Sequence, residues 1–276
     1  MATLISLTKG AESMKDKSPK NFLDKKGIKR FYYITSLGNI PSILKLGILS
    51  RNAATKAKIG FTDISDLDVQ ERRKQYHNYV PLFFNPKNRM LFRVQNEAKN
   101  EIAILEISNS VIEKPGSLVS DINVAKDNHT VYEAHNVEWH GVLNFKLLNK
   151  RDIYLGGLSK FEKDQLQAEV LIKEKVEPKY VKGIVLIDSK YKKAIPKDYQ
   201  GLIKIDKNLF FDIHSTSGRK GVMGKKRCPK CGEIHYDDET ECDCGWVFYK
   251  KECPRCGTLI DDYRLFCPFC DWKFRL

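Results

Sequence analysis

Apolar and polar positions change along this chain in short blocks, and few of them keep a helical period for long. Phe31-Tyr32-Tyr33-Ile34-Thr35 is aromatic and β-branched and predicts a strand. Asn39 to Leu46 predicts a short helix, with Asn39 as its cap, Pro41 in its first turn and Gly47 ending it. Asp66 to His77 is charged with a helical pattern, and Tyr79 to Phe84 is a second strand in which Pro81 marks an edge or a bulge. Glu101 to Ile107 alternates as a third strand. Residues 116–160 read as irregular, and Gln167 to Ile172 as a strand carrying a carboxylate near its start. Gly183–Asp188 and Gly201–Ile205 complete the set. Many short strands with short helices, and no regular alternation of the two, predict a mixed α+β domain over residues 30–213. Residues 1–29 are Lys-rich and read as a basic, poorly ordered lead-in. Residues 214–227 hold three glycines and five basic residues and read as a linker. Two small units follow, at 228–249 and 250–276.

Composition adds little to the fold but bounds the setting. The chain has 276 residues, 42% hydrophobic and 30% charged, as expected of a soluble globular protein. No apolar run approaches a membrane span, and Met1–Leu7 lacks the basic start and long apolar stretch of a signal peptide, so a cytoplasmic location is expected. The net charge of +13 is unevenly placed. Residues 1–30 carry 8 Lys/Arg against 3 Asp/Glu, residues 31–220 carry 30 against 22, and residues 221–276 carry 10 against 10. The basic excess therefore sits on the first 220 residues, where it favours a polyanion such as nucleic acid, or serves solubility alone.

All eight cysteines fall between Cys228 and Cys270. Cys228-x2-Cys231-x10-Cys242-x1-Cys244 is followed by Cys253-x2-Cys256-x10-Cys267-x2-Cys270, one design used twice. Two knuckles ten residues apart can bring four thiolates to one tetrahedral Zn2+, so two structural zinc ribbons are expected. Cys242-Asp243-Cys244 is one residue short of the usual knuckle, and His235 is the alternative fourth ligand. Four closed ligands leave no open position, which makes these metals structural. Such ribbons bind nucleic acid or protein, and the sequence does not choose.

Several chemistries are excluded for the main domain. The pair Gly224-Lys225 has Arg219 where a phosphate loop needs its first glycine, and GxGxxG, HExxH and GxSxG are absent. What remains is Arg51 after the first helix, the aromatic Tyr79–Phe84 strand and Glu169. A carboxylate can hydrogen-bond ribose hydroxyls and balance the charge of an oxocarbenium-like state as a nicotinamide–ribose bond breaks. An arginine can hold a pyrophosphate or assist at the acceptor. Taken singly, Glu169 also fits a solvated strand end and Arg51 a surface charge. Lys87, Arg89 and Arg93, with Tyr76, Phe83, Phe84 and Phe92 nearby, have the mix of cations and aromatics that binds single strands. The same residues also fit a core with a charged rim.

Three segments together resemble the DarT family of DNA ADP-ribosyltransferase toxins. They are Tyr32-Tyr33-Ile34-Thr35 through Asn39-Ile40-Pro41-Ser42-Ile43-Leu44 to Gly47-Ile48-Leu49-Ser50-Arg51; Tyr79 to Leu91; and Gln167-Ala168-Glu169-Val170-Leu171-Ile172. The resemblance covers about residues 30–210 and leaves the ribbons unexplained. It implies a split β-sheet with NAD in the cleft between its halves, and transfer of ADP-ribose from NAD to a base of single-stranded DNA with release of nicotinamide. It implies Glu169 and Arg51 as catalytic residues, and Tyr33, Thr35, Asn39, Tyr79, Met90 and Gln167 as the NAD-binding set. The loop of Arg151 to Lys160 would face the acceptor base, so Arg151 joins Lys87, Arg89 and Arg93 as DNA-binding. A DarG-like macrodomain antitoxin is the implied partner. Relatives often carry His where Tyr33 and Ser36 stand here, which points to a divergent branch and, among the bases, to guanosine. The other readings are an ADP-ribosyltransferase acting on RNA or protein, and an inactive zinc-ribbon nucleic-acid-binding module.

Overall fold

The computed structural model describes residues 18–65, 67–96, 101–153, 155, 158–211, 225–236, 241–242, 244, 246–248, 250–255, 259–261 and 273–274. These fall into two compact units, the first of Met1–Leu155 and Phe161–Phe211, the second of Gly156–Lys160 and Asp212–Leu276 with the Cys-rich end.

The first unit opens on α1 (Pro19–Lys25), which Ser18 caps by accepting from the Asn21 N–H at 3.2 Å. This corrects the expectation of a loose lead-in for residues 18–29. Leu23 and Ile28 are buried in the main core, Ser18 Oγ donates to Glu113 at 2.5 Å, and the Asn109 amide donates to both Asp24 and the Ile28 carbonyl. Two apolar residues in a Lys-rich stretch are enough to dock it, although they barely register in its composition. Residues 1–17 lie outside the described residues.

Then come β1 (Arg30–Ser36), α2 (Ile40–Leu46), β2 (Ile48–Leu49), α3 (Arg51–Lys56), α4 (Leu67–Arg72), β3 (Tyr79–Phe83), α5 (Arg89–Asn96) and β4 (Ile102–Ser108). After them follow β5 (Leu118–Ser120), β6 (Val131–Glu133), α6 (Phe145–Leu148), α7 (Lys160–Gln165), β7 (Glu169–Lys173), β8 (Lys175–Val176), β9 (Val181–Leu186) and β10 (Ile203–Ile205). Eight strands form one sheet in the order β10-β9-β4-β1-β3-β7-β5-β6, and β2 pairs with β8 apart from it. The mixed α+β class expected from the blocks is what forms. Residues 116–160 are less irregular than expected, because β5 and β6 extend the sheet beside β7. At three residues each they are too short to show a period.

One core cluster lies on the sheet face where Phe31, Leu82, Phe84, Leu105 and Val170 meet Ile40, Ile43 and Leu44 of α2, and Ile34, Ile104, Leu171 and Val185 are buried on the other face. Gly47 ends α2 with φ +89°, and a Cβ there would overlap the Val176 carbonyl oxygen, so only glycine lets the chain turn into β2 and on to Arg51.

In the second unit β11 (Lys225–Arg227) pairs with β12 (Ile234–Tyr236), and β13 (Lys250–Glu252) with β14 (Leu259–Asp261). The first hairpin thus takes in residues 225–227, which composition assigns to the linker. The rest of that linker lies outside the described residues. Among the described residues no helix is long and apolar enough to cross a membrane.

Candidate active site and metal centre

A cleft opens where two neighbouring strands part. β1 and β3 pair only at Tyr32 and Phe83, whereas β1 pairs with β4 over its whole length. Beyond that point Tyr33 and Thr35 of β1 and Tyr79, Pro81 and Phe83 of β3 line the gap. It encloses about 860 Å3 of empty space, part of it open to solvent. Pro81, which has no N–H to donate, stands on the stretch of β3 that β1 leaves unpaired, although β3 is central in strand order.

Asn39 fastens the upper wall. Its amide donates to Thr35 Oγ1 at 3.1 Å and to the Thr62 carbonyl at 2.8 Å, and accepts from the Thr62 N–H at 2.9 Å. Asn39 makes no side-chain cap on α2, so its expected capping role is replaced by this one. The segment it holds brings Phe61 and Asp63 to Arg51. Ser50 caps α3 by accepting from the Ala53 N–H, and Arg51 leaves the first turn to pair with Asp63, its guanidinium carbon 5.8 Å from the Phe61 ring centre. Arg51, Tyr33, Thr35, Asn39, Tyr79 and Met90 all line this one cleft. Burial, helped by the Asp63 carboxylate, pushes the Tyr33 hydroxyl up to about 12, so it acts there as a neutral donor and acceptor.

Glu169 heads β7, opposite Phe83 on one side and Ser120 on the other, and has no exposed surface. Between it and the cleft stands Arg73, just after α4. Its two terminal nitrogens donate to the two Glu169 carboxylate oxygens at 2.9 and 3.0 Å, and its side chain is 15% exposed. Arg73 lines the cleft, and Glu169 lies behind it. Burial pushes the Glu169 carboxyl above the usual range, opposed by Arg73, a hydrogen bond from the Val124 backbone and the nearby His129. Tyr76, also in the cleft wall, is hydrogen-bonded to His129 at 2.9 Å. Arg51 therefore faces the cleft directly, and Glu169 meets it through Arg73.

Two groups of expected site residues are placed otherwise. Gln167 does not line the cleft; it is buried, with its amide directed to the Lys163 carbonyl at the end of α7. Lys87, Arg89 and Arg93 do not form an open cationic strip. The Lys87 ammonium is half-buried and 5.8 Å from the Phe211 ring centre, Arg89 pairs with Asp164 at 3.8 Å, and Arg93 donates to the Ile64 carbonyl at 2.6 Å. Helix α5 turns Arg89 and Arg93 into the fold. Arg151 is exposed, with its guanidinium carbon 5.7 Å from the Tyr32 ring centre. Arg73, Phe61, Asp63 and His129 are not singled out by the sequence. Arg73 sits in a charged helical stretch that resembles any solvated face.

In the second unit the four sulfurs of Cys228, Cys231, Cys242 and Cys244 lie within 4.8 Å of one another, with Cys228–Cys244 at 3.6 Å and Cys231–Cys242 at 3.4 Å. Tetrahedral Zn–S bonds of about 2.3 Å set sulfurs roughly 3.8 Å apart, so this donor set fits a metal ion. The short Cys242-Asp243-Cys244 knuckle does bring both thiols in. His235, with Glu233, forms a second grouping that shares Cys242. Of the other expected ligands, Cys253 is buried, and Cys256, Cys267 and Cys270 lie outside the described residues.

Residues 32–211 match the family described as "ssDNA thymidine ADP-ribosyltransferase, DarT". The chain belongs to the DarT family. A DNA ADP-ribosyl transferase–DNA ADP-ribosyl glycohydrolase fusion protein of Thermosipho africanus is 28% identical over 182 residues, 60% of this chain and 46% of that protein. The structure of Thermosipho africanus DarTG in complex with ADP-ribose is similar in fold, at TM-score 0.57 and 24% identity over 66% of this chain and 51% of that one. Thermus sp. 2.9 DarT in complex with ADP-ribosylated ssDNA is similar at TM-score 0.56 and 18% identity over 67% of this chain and 97% of that one. The chain spans about half the length of the Thermosipho protein, and the DarT match ends before the Cys-rich unit. The family description names thymidine, so the expectation of guanosine finds no support in it.

Proposed function

We propose that this chain is an NAD-dependent ADP-ribosyltransferase that moves ADP-ribose from NAD to a base of single-stranded DNA, thymidine first among the candidates. The bonds broken are the one between nicotinamide and C1″ of the ribose and an N–H of the base; the bond formed joins C1″ to that base nitrogen, nicotinamide leaves, and the proton passes to water. The observation that carries the reading is one cleft with Arg51 in its wall and a buried carboxylate, Glu169, at its back behind Arg73. Glu169 stabilises the positive ribose as the bond breaks, in a site where low dielectric strengthens the effect. Arg51 holds the pyrophosphate or assists at the acceptor base. Tyr33, Thr35, Asn39, Tyr79 and Met90 seat the NAD. Membership of the DarT family and the relatives solved with ADP-ribose and with ADP-ribosylated ssDNA support the assignment.

The catalytic domain is residues 18–211, and the unit from residue 225 onward carries structural Zn2+. Cys228, Cys231, Cys242 and Cys244 hold one ion, on the support of their four clustered sulfurs. Cys253, Cys256, Cys267 and Cys270 hold a second, on the support of the repeated spacing. The chain acts in the cytoplasm as a toxin. Its neutralising partner is a DarG-like macrodomain protein, a reading supported by the relative that fuses transferase and glycohydrolase in one chain. The test is mass analysis after incubation with NAD and, in parallel, single-stranded DNA of each base, RNA and bulk protein. An ADP-ribose adduct on thymidine-containing DNA is expected. An adduct confined to RNA or protein would replace the substrate, and none anywhere would leave a binding module.

A further inference from the structure

A second opening lies on the other side of the Tyr32–Phe83 contact. It is lined by Lys29 and Arg30 leading into β1, by Tyr32, by Phe84 to Pro86 after β3, and by Asn149 and Arg151 after α6, and holds about 500 Å3 of empty space, part of it open to solvent. Its lining has three cations and no carboxylate. Of the acidic groups around it, exposed Asp152 follows Arg151 in the chain, and two others are engaged in ion pairs. Asp24 is paired with Lys20 and bonded by Asn109, and Glu106 is paired with Lys204. Tyr32, 4% exposed, forms the floor, and the exposed guanidinium of Arg151 lies over its ring. A planar fork of N–H donors on an aromatic surface, beside a second arginine and a lysine, is suited to a phosphate oxygen.

Strand register ties this pocket to the cleft. Tyr32 is opposite Phe83, and Phe83 is opposite Glu169, so the three stand in one cross-strand row. With strands about 4.8 Å apart, Tyr32 lies two strand spacings, about 10 Å, from Glu169. Single-stranded DNA carries a phosphate every ~3.4 Å when stacked and at wider intervals when stretched, so a strand offering one base near Glu169 has neighbouring phosphates within reach of the pocket.

We propose that the pocket of Lys29, Arg30, Tyr32 and Arg151 binds a backbone phosphate of the acceptor strand beside the nucleotide being modified. The inference rests on the DNA-modifying reading above and adds to it a dedicated subsite, outside the NAD cleft, that sets where the strand lies. It replaces the open strip of Lys87, Arg89 and Arg93 as the cationic contact. A free nucleotide offers the same phosphate chemistry, and the experiment separates the two sources.

The full chain carrying Glu169→Gln, which prevents turnover, is titrated with fluorescent single-stranded thymidine oligonucleotides at several salt concentrations, with and without Arg30→Ala plus Arg151→Ala. NAD affinity is measured on the same proteins, and ADP-ribose transfer on the pair with Glu169 restored. The double substitution is expected to weaken DNA binding several-fold and to flatten the slope of log affinity against log salt by about 0.7 for each phosphate that is no longer neutralised. NAD affinity stays unchanged, and the loss of transfer appears as a higher DNA KM. Tyr32→Phe, which keeps the ring, retains binding. An unchanged salt slope in a chain that still modifies DNA overturns the subsite alone, whereas no modification of any DNA by the unsubstituted chain overturns the function it rests on. Tight binding of thymidine monophosphate or inorganic phosphate, abolished by the double substitution while DNA binding persists, would assign the pocket to a free nucleotide or phosphate instead.

Discussion

Replacing Arg73 with alanine tests the link between the cleft and the carboxylate behind it. The substitution removes both hydrogen bonds to Glu169, at 2.9 and 3.0 Å, from a side chain with no exposed surface. Leaving one member of a buried ion pair alone costs about 3–5 kcal/mol. The carboxyl escapes that cost by taking up a proton. That uptake raises the Glu169 pKa further in the variant, because burial is then no longer opposed by Arg73. The direction follows from the burial that already pushes Glu169 above the usual carboxylate range, with Arg73 opposing it. A carboxyl raised on folding favours the protonated native state. Its contribution to stability is present below the unfolded value and is lost as pH rises through the folded one. The gap in Tm between the wild type and Arg73→Ala should therefore be small near pH 4 and widen towards neutrality. It should level off once the variant's Glu169 ionises. The acid limb of ADP-ribose transfer should move to higher pH with it. Thermal unfolding and transfer rates from pH 4 to 9 measure both. A Tm gap of constant size across that range, or an acid limb that stays in place, would refute the coupling.

Other outcomes follow from the same structure. Gly47→Ala forces a Cβ against the Val176 carbonyl at a backbone angle that L-residues rarely adopt, and should lower stability by more than about 1 kcal/mol in denaturant unfolding. Arg51→Ala should raise the NAD Kd or the KM in isothermal titration and kinetics, with Tm little changed, because its partner Asp63 is itself at the cleft surface. Cys231→Ser with Cys244→Ser should release one equivalent of zinc on metal analysis and abolish the β11–β12 hairpin. NAD binding by residues 18–211 should persist, and its loss would show that the two units depend on each other.

Much of this arrangement is legible in the sequence, and the parts that are not share a cause. Local pattern places β1, α2, β3 and β7 within a residue or two, because each is a short apolar run bounded by glycine, proline or polar residues. Pro81 reads as an edge or bulge, and its true setting is the place where β1 and β3 separate, a property of two strands together. Glu169 and Arg51 stand out through family motifs. Arg73 does not, because a guanidinium in a charged stretch looks solvated until a carboxylate 96 residues further on is brought to it. The reverse holds at Lys87, Arg89 and Arg93. Adjacent cations suggest an open patch, but α5 turns Arg89 towards Asp164 and Arg93 towards the Ile64 carbonyl. The docking of α1 depends on Leu23 and Ile28 within a lysine-rich run, where composition outweighs two decisive residues.

The most direct test of the central claim is mass analysis of a thymidine-containing single-stranded oligonucleotide after incubation with NAD and either the wild-type chain or Glu169→Gln. The wild type should add one ADP-ribose to the base and release nicotinamide. Glu169→Gln, which keeps the shape of the side chain but not its charge, should lose at least about 100-fold in rate while still binding NAD. Equal modification by the two proteins, or no modification of DNA by the wild type, would contradict the assignment of Glu169 and its cleft as the transferase centre.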